Sequence, residues 1–429
     1  MRNEGTIDPG ASGQALYPVL AASLSRTFAE LIIFGYIPLH LYTGGERRIL
    51  QLALITAVPA LVRFAAANVW GAVADVTGRL KLTLLVGLLG YGAAAVGLLF
   101  ASTGVHAMIV VSMAAALFAS LSPAGKALVS LRPGPAGTPG RALAWWLQLE
   151  SWGWMLGSLA VAIRERLGAS PGSLLVAAAG LALLQALWVA WRVPELLRRP
   201  AREEPAPAGE RTLRAAGVSQ AIAGRFAELR DEWRRLYGDR VLALLFGVFG
   251  LAVLAGEASF TVFGFYVVGT LGGTESLYGA TLTLATALGL VAYAWLTANS
   301  RRASPGNLML TAGAPYIAMY VLMAAAPNAL VAAVAFALPL YALIRAGATW
   351  AAESLTHASE RGGGMGALDG MEAFSLALGA VMAGSVGDQL GLRAVYATCA
   401  GVALLLSLLA WKLKARLTRP QASPVAAKA

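Results

Sequence analysis

Nine charged residues lie inside long apolar segments of this sequence, where charge is rare. They are Arg26, Glu30, Arg63, Lys126, Glu150, Glu257, Arg345, Asp369 and Glu372. If those segments cross a bilayer, nine charges facing lipid would cost about 20–30 kcal/mol on insertion scales. We therefore expect these side chains to face protein or water, where carboxylates bind protons and cations hold anionic groups.

Glu257 is the leading candidate for a proton carrier among these residues. It lies about seventeen residues into its apolar segment, which holds no other charge. Removal from water disfavours an ionised carboxylate, so Glu257 is expected to bind a proton. Asp369 and Glu372 are three residues apart, and their repulsion favours protonation of one of them. Asp369 also follows three glycines near the start of its helix, where the dipole favours a structural role.

The basic residues have several possible roles. Arg26 and Glu30 are four residues apart, which predicts an ion pair on one helix face and leaves structure and function equally open. Lys126 is late in its segment, and its long side chain is expected to extend to the inner membrane surface. Arg345 lies deeper, where it either faces a cavity or pairs with an acid. Arg63 has no counterpart in the second half of the chain.

Four tryptophans surround Glu150, namely Trp145, Trp146, Trp152 and Trp154. Such a group can line a pocket for an amphiphile or an organic cation. Tryptophans more often face lipid or the headgroup layer, and this is the favoured interpretation for the first two.

Composition indicates that these segments lie in a lipid bilayer rather than in water. The chain has 429 residues, of which 58% are hydrophobic and 13% charged, and its mean hydropathy is +0.67. An ordinary soluble domain carries about 25% charged residues, so the low charged fraction of this chain excludes a soluble globular protein. The apolar runs are long enough to cross about 30 Å of hydrocarbon. They do not alternate as barrel strands do, so the sequence predicts an all-α polytopic membrane protein.

Twelve spans are predicted, in two pseudo-symmetric six-helix bundles. They lie near residues 16–42, 49–72, 82–101, 105–131, 141–163, 171–191, 241–268, 277–298, 307–326, 328–352, 364–387 and 394–413. The predicted organisation is an N-terminal bundle at 1–191, a cytoplasmic linker at 192–240, a C-terminal bundle at 241–414 and a cytoplasmic tail at 415–429.

The two halves repeat each other in charge as well as in span number. The first span of each half carries an acid, the fourth a base and the fifth an acid, whereas the third and sixth carry no charge. Repeat-built transporters place their binding site near the midplane between the repeats. We therefore expect one substrate cavity between the halves, lined by the nine charges.

Basic residues also predict the orientation. With both termini cytoplasmic, 24 Lys and Arg residues lie in inner segments and five in outer loops. This bias favours a multi-pass protein of the cell membrane with both termini inside. The net charge of +11 then faces anionic inner-leaflet lipid rather than nucleic acid.

The linker contains a periodic apolar pattern. Its members are Val218, Ile222, Phe226, Leu229, Trp233 and Leu236. Steps of three and four residues predict an amphipathic helix on the inner membrane surface. It is interpreted as a tether, with a regulatory or partner-binding helix as the alternative.

Enzyme chemistry has little support in this sequence. The three histidines, His40, His106 and His357, form no metal-binding pattern, and Cys399 is the single cysteine. We expect no catalytic residues, metal or cofactor. A membrane-embedded enzyme and a channel are remote alternatives to a transporter.

Residues 71–81 read Gly-Ala-Val-Ala-Asp-Val-Thr-Gly-Arg-Leu-Lys, after the second span. Gly71 and Gly78 permit a tight turn and close helix approach, while Asp75, Arg79 and Lys81 can join neighbouring helix ends. This order resembles the signature of the major facilitator superfamily. The resemblance implies the major facilitator fold, in which the first, fourth, seventh and tenth helices line the cavity. It also implies that Asp75 and Arg79 stabilise the outward-facing state.

Other stretches resemble parts of the same family. Residues 299–304 keep two bases but lack the Gly and Asp of the signature. Gly153 and Gly157 are similar to the glycine-rich motif of proton-coupled exporters, without its Gly-Pro step. Residues 123–129 are similar to the fourth helix of drug-exporter-like members, so the resemblance favours export.

These observations together predict a secondary active transporter. It is expected to work by alternating access as a monomer, with protons exchanged on Glu257, Glu30 and Glu150 driving export of a small organic, amphiphilic or drug-like molecule. The alternative is an importer or facilitator for a sugar, a metabolite or an organic anion, held by Arg26, Arg63 and Arg345.

Overall fold

The structure is a computed structural model. It describes residues 16–130, 139–195, 237–299, 304–355 and 361–417, and six separate linker positions, 224, 227, 230, 231, 234 and 235. The six apolar residues of the predicted linker helix and the predicted tail beyond residue 417 lie outside the described residues.

Twelve long helices make up the described part of the chain. The first six are α1 (Leu16–Thr43), α2 (Ile49–Thr77), α3 (Leu80–Leu98), α4 (Gly104–Phe118 and Leu121–Ser130), α5 (Pro139–Arg166) and α6 (Pro171–Arg192). The second six are α7 (Arg240–Thr270), α8 (Glu275–Ala298), α9 (Pro305–Ala324), α10 (Ala329–Phe336 and Leu340–Leu355), α11 (Arg361–Leu390) and α12 (Leu392–Leu417).

Eleven of these helices are long and apolar enough to cross a membrane, judged on the described residues by length and composition. In α5, by contrast, Gln148, Glu150 and four tryptophans lower the mean hydropathy of the middle turns. The prediction of an all-helical, twelve-helix membrane fold is confirmed.

The two halves repeat irregularities of their helices. A π-helical turn, Leu31–Tyr36, interrupts α1, and a second one, Phe265–Thr270, ends α7. Likewise α4 breaks after Phe118 and α10 breaks after Phe336. Because π turns and mid-helix breaks are uncommon, their recurrence in equivalent helices supports an internal duplication.

Helix packing defines two bundles with an interface between them. In the first half α1 packs on α5 and α6, and α3 packs on α6; in the second half α7 packs on α11 and α12, and α9 packs on α12. The halves meet where α2 packs on α11 and where α5 packs on α8. We call the membrane side where α1 begins the terminal side and the other side the opposite side.

Small residues allow α2 and α11 to approach closely. We call this contact the alanine seam; its members are Ala53, Ala57, Ala60, Ala377 and Ala380. Nearer the opposite side, a Cβ on Gly384 would lie 2.6 Å from Cα of Leu50. Lipid tails are as apolar as the helices, so close packing of small residues supplies the contact energy that hydrophobic burial cannot.

The signature at residues 71–81 is mostly helical, so the second helix extends beyond its predicted end at residue 72. Its alanines and valines continue α2 as far as Thr77. Gly78 then ends the helix with φ of 66°, and its N–H donates to the Ala74 carbonyl at 2.8 Å. Only glycine adopts this φ without a steric cost, which confirms the predicted turn. A Cβ on Gly71 would contact nothing within 4 Å, so no close helix approach depends on it here.

Gly153 determines how closely α5 approaches α1. A Cβ at this position would overlap Oγ1 of Thr27 and the carbonyl oxygen of Leu24. Gly157, one turn later, faces α1 in the same way, with Leu31 at 3.0 Å from its hypothetical Cβ. The glycine pair noted in the sequence therefore sets the distance between the two helices.

We expect Gly153→Ala to destabilise the protein, because a clash with backbone is not relieved by a side-chain rotation. Overpacking of this kind costs about 1–3 kcal/mol. The measurement is the melting temperature of the purified protein in detergent. Gly180→Ala in α6 is the matched control, since its Cβ would meet nothing within 4 Å. If Gly153→Ala melts no lower than Gly180→Ala, α1 and α5 do not pack this closely.

Candidate functional site

A cluster of charges joins four helices of the first half. We call it the N-half cluster: Arg26, Glu30, Arg63, Tyr91 and Glu150. Oε1 of Glu30 accepts hydrogen bonds from three groups, Nη1 of Arg26 at 3.1 Å, Nη1 of Arg63 at 2.8 Å and the Tyr91 hydroxyl at 2.6 Å. The predicted Arg26–Glu30 ion pair is therefore confirmed, and it is part of a larger network.

Glu150 completes this cluster from α5. Its Oε1 lies 2.5 Å from Nη2 of Arg26 and accepts the indole N–H of Trp146 at 2.7 Å. The Thr27 hydroxyl donates to the Glu150 carbonyl at 2.7 Å, at the level where Gly153 lets the helices meet. Trp146 is fully buried against Gly125, so its predicted position facing lipid or the headgroup layer was wrong.

The N-half cluster is electrically balanced. Two guanidinium groups and two carboxylates cancel in charge, and each carboxylate holds at least one cation within 3.1 Å. Burial of ions in a medium of low dielectric is tolerated only with such pairing and hydrogen bonding. The cluster therefore requires α1, α2, α3 and α5 to converge at this point.

A second cluster lies in the other half. We call it the C-half cluster: Tyr341, Arg345, Asp369 and Glu372. Arg345 forms a close ion pair with Glu372, whose Oε1 also accepts the Tyr341 hydroxyl at 2.6 Å. Nη2 of Arg345 lies 3.8 Å from Oδ1 of Asp369. Of the two alternatives for Arg345, the structure favours an ion pair with an acid.

Lys126 of α4 faces the C-half cluster. Its Nζ lies 3.8 Å from Oδ2 of Asp369, and the two side chains are 37% and 49% exposed. Lys126 therefore does not extend to the membrane surface as predicted, because an acid of the other half lies nearer. The helix dipole does not explain Asp369 either, since α11 begins eight residues earlier, at Arg361. The dipole acts within the first turn only.

Two of the predicted pairs of equivalent charges occupy the same position in their helices. Lys126 and Arg345 are both the sixth residue of the second segment of their helices. Glu150 and Glu372 are both the twelfth residue of theirs. Glu30 and Glu257 are not equivalent: Glu30 immediately precedes the π turn of α1, whereas Glu257 lies eight residues before that of α7.

Glu257 differs from the other acids in its surroundings. Its Oε1 accepts a hydrogen bond from the Thr261 hydroxyl at 3.3 Å, and no cation of the described residues lies within ion-pair distance. Its backbone lies near α11, where a Cβ on Gly379 would be 3.2 Å from Cβ of Glu257. A carboxylate in this position lacks the neutralising partner that Glu30, Glu150 and Glu372 have.

An ion pair joins the two halves near the opposite side. Nη2 of Arg164 on α5 lies 2.5 Å from Oε2 of Glu275 on α8, and their side chains are only 11% and 14% exposed. The Tyr36 hydroxyl donates to the same oxygen at 3.1 Å, and the Arg164 guanidinium lies 5.3 Å from the centre of the Tyr36 ring. We call these three residues the opposite-side clasp.

Backbone groups strengthen the closure on this side. Oδ1 of Asp388 on α11 accepts the N–H of Ile49 at 2.7 Å, and its Oδ2 accepts that of Leu50 at 3.1 Å. The second half thus caps the N-terminus of α2, where a negative charge also complements the helix dipole. The Tyr278 hydroxyl donates to the Gly35 carbonyl in the π turn of α1 at 3.0 Å. The halves are therefore closed together on the opposite side.

Sequence reasoning missed several of these residues. Tyr91, Tyr341, Arg164, Glu275 and Asp388 all hold a charged partner or a helix end. The last three lie at the ends of spans, where charge is the ordinary finding. Spacing along the sequence gives no signal for these partners, because each contact joins different helices.

The signature residues lie at the terminal side, apart from both clusters. Nζ of Lys81 donates to the Ala190 carbonyl at the end of α6, at 2.7 Å. Arg79 is exposed. The side chain of Asp75 lies outside the described part, so its implied role with Arg79 stays a prediction.

Comparison with known proteins identifies the class. The sequence matches the Major Facilitator Superfamily over residues 15–352, and the chain belongs to this family of transporters. Comparison with curated proteins finds no match. The two-bundle fold, the multiple membrane spans and the family agree with one another.

Solved structures share the fold at low identity. A POT family transporter in complex with a thioalcohol-conjugated peptide is 12% identical, with a TM-score of 0.73 over 96% of this chain and 100% of that one. A bacterial homolog of the human lysosomal transporter Spinster, inward-facing and unoccupied, is 14% identical. Its TM-score is 0.69 over 96% of this chain and 98% of that one. The human organic anion transporter MFSD10 is 18% identical, with a TM-score of 0.62 over 94% of this chain and 100% of that one.

We expect Arg164→Gln to open the opposite side, because Glu275 loses its cation and the clasp loses its charge pair. The measurement uses spin labels on cysteines replacing Leu167 and Leu390, in a Cys399→Ser background, with the protein in nanodiscs. The distance distribution should gain a longer component. Arg166→Gln, an exposed arginine on the same helix, is the control. An unchanged distribution in Arg164→Gln would show that the clasp does not hold the halves together.

Proposed function

We propose that this chain is a proton-coupled secondary transporter, in which Glu257 binds and releases the proton. The observation that carries the proposal is the contrast between Glu257 and the other buried acids. Glu30, Glu150 and Glu372 have arginine partners within hydrogen-bond distance, whereas Glu257 has only the Thr261 hydroxyl. A carboxylic acid that has no cation nearby in a medium of low dielectric has a lower free energy in its neutral form than in its charged form. It therefore binds a proton.

The arrangement of the two halves supports alternating access. The opposite-side clasp closes one end of the interface, while the half-exposed Lys126 and Asp369 lie on the terminal side of the midplane. The two bundles are proposed to rock about the α2–α11 and α5–α8 contacts, which exposes Glu257 to one side and then to the other. Proton movement down its gradient then drives substrate movement.

The substrate is proposed to be a small organic molecule, and export of an amphiphilic or drug-like compound is the favoured direction. Trp154 and Phe260, whose ring centres are 5.6 Å apart across the two halves, form an apolar contact close to Glu257, which Phe260 follows by three residues on α7. This pairing suits a molecule with an aromatic or aliphatic body.

Uptake of a charged small molecule is the second candidate. Lys126 and Asp369 present opposite charges 3.8 Å apart, and both are accessible. A substrate with a carboxylate and an amine would replace this loose pair by two stronger ones. The neighbours that carry a peptide conjugate or organic anions are compatible with such a substrate.

The test is transport in proteoliposomes under an imposed pH gradient. Candidate amphiphiles, dipeptides and organic anions are first screened by thermal shift, since a ligand of the folded state raises its stability. With a ligand in hand, Glu257→Gln should abolish acceleration by the pH gradient while exchange of substrate continues. Glu195→Gln, an exposed acid after α6, is the control. Coupling that persists in Glu257→Gln would refute the proposal.

We also propose that the terminal side is cytoplasmic, on the bias of 24 basic residues against five. A single cysteine replacing the exposed Leu167, in the Cys399→Ser chain, should react with a membrane-impermeant maleimide added to intact cells. A cysteine replacing the exposed Ala298 should react only after the membrane is permeabilised. The reverse pattern would invert the topology.

A further inference from the structure

Arg63 lies where the alanine seam ends. It follows Ala60 by three residues on α2, about 4.5 Å further toward the terminal side. Its equivalent helix in the second half, α8, carries no charge after Glu275. The duplicated architecture therefore does not account for Arg63, and its position at the interface requires a separate explanation.

Two acids lie beyond the end of the seam on the facing helix. Glu372 and Asp369 precede Ala377 on α11 by five and eight residues, about 7.5 and 12 Å toward the terminal side. Measured from the end of the seam, Arg63 and Glu372 therefore differ in depth by less than one helical turn. Beyond the alanine seam, α2 therefore carries a cation, Arg63, and α11 carries two anions, Glu372 and Asp369.

In this structure Arg63 and Glu372 each bind within their own half, whereas Asp369 also lies 3.8 Å from Lys126 of the first half. Arg63 uses one N–H group, at 2.8 Å from Glu30, and its side chain is 30% exposed. A guanidinium has five N–H donors, so most of its capacity for hydrogen bonds is left for other partners. Glu372 is held by Arg345 and Tyr341 of the C-half cluster.

We propose that Arg63 is a positioning residue that exchanges partners during the transport cycle. It binds Glu30 while the opposite side is closed, and it binds Glu372 or Asp369 when the terminal side closes and the seam lengthens by a turn. This inference rests on the alternating access of the proposed function. It assigns Arg63 to the terminal-side closure, in the role that the clasp has on the opposite side.

The exchange has a consequence for the N-half cluster. When Arg63 leaves, Glu30 retains Arg26 of α1 and Tyr91 of α3, but Arg26 is shared with Glu150 of α5. One cation then faces two carboxylates. A buried cluster with a net negative charge favours uptake of a proton, so terminal-side closure is linked to protonation of this cluster.

The test measures closure of the terminal side. Spin labels are placed on cysteines replacing Arg192 and Ala298, in a Cys399→Ser, Arg164→Gln chain in nanodiscs, where removal of the clasp favours terminal-side closure. Arg63→Gln should reduce the short-distance population by about fivefold or more, the range of an ordinary coupling between sites. Arg63→Lys should restore part of it, and Arg166→Gln should change nothing.

A double-mutant cycle shows whether the partner is Glu372. Glu372→Gln should reduce the same population, and its combination with Arg63→Gln should add little. An Arg63→Gln chain that behaves like Arg166→Gln, or two effects that combine independently, would overturn the exchange. Proton coupling that persists in Glu257→Gln would refute the proton role of that acid and leave these distances unaffected. The two proposals therefore fail separately.

Discussion

The need to neutralise charge in a medium of low dielectric governs this structure. A single oxygen of Glu30 accepts hydrogen bonds from Arg26, Arg63 and Tyr91, and Arg26 in turn reaches Glu150. Each helix of the first half that carries one of these groups is held at the position its partner requires. Removal of one partner would leave an uncompensated ion, a more costly condition than the pair itself.

Charge pairing on this scale demands very close helix packing. Arg26 reaches Glu150 because Gly153 lets the backbone of α5 touch that of α1. In the second half Gly379 performs the same function where α11 meets α7. Lipid supplies no hydrophobic driving force for helix association. Small residues that permit close packing and polar groups that bond across the contact therefore stabilise it together.

The proposed function depends on the charges at which the repeat departs from symmetry. Lys126 matches Arg345 and Glu150 matches Glu372, and each of these four charges forms an ion pair. Glu257 has no equivalent at its depth, and Arg63 has none on α8. These two unmatched charges lie at the interface of the halves, and in the proposed mechanism a change of protonation or of partner there is coupled to relative movement of the bundles.

The amino-acid sequence by itself determined the membrane class, the twelve helices, the charged residues and the isolation of Glu257 along its helix, because length, hydropathy and charge are local properties. It also predicted the Arg26–Glu30 pair, whose spacing lies within one helix. Partners on different helices were decided only by tertiary structure. Trp146 against Gly125, Lys126 beside Asp369 and Arg164 with Glu275 depend on how helices far apart in sequence are placed, and no spacing along the chain encodes those distances.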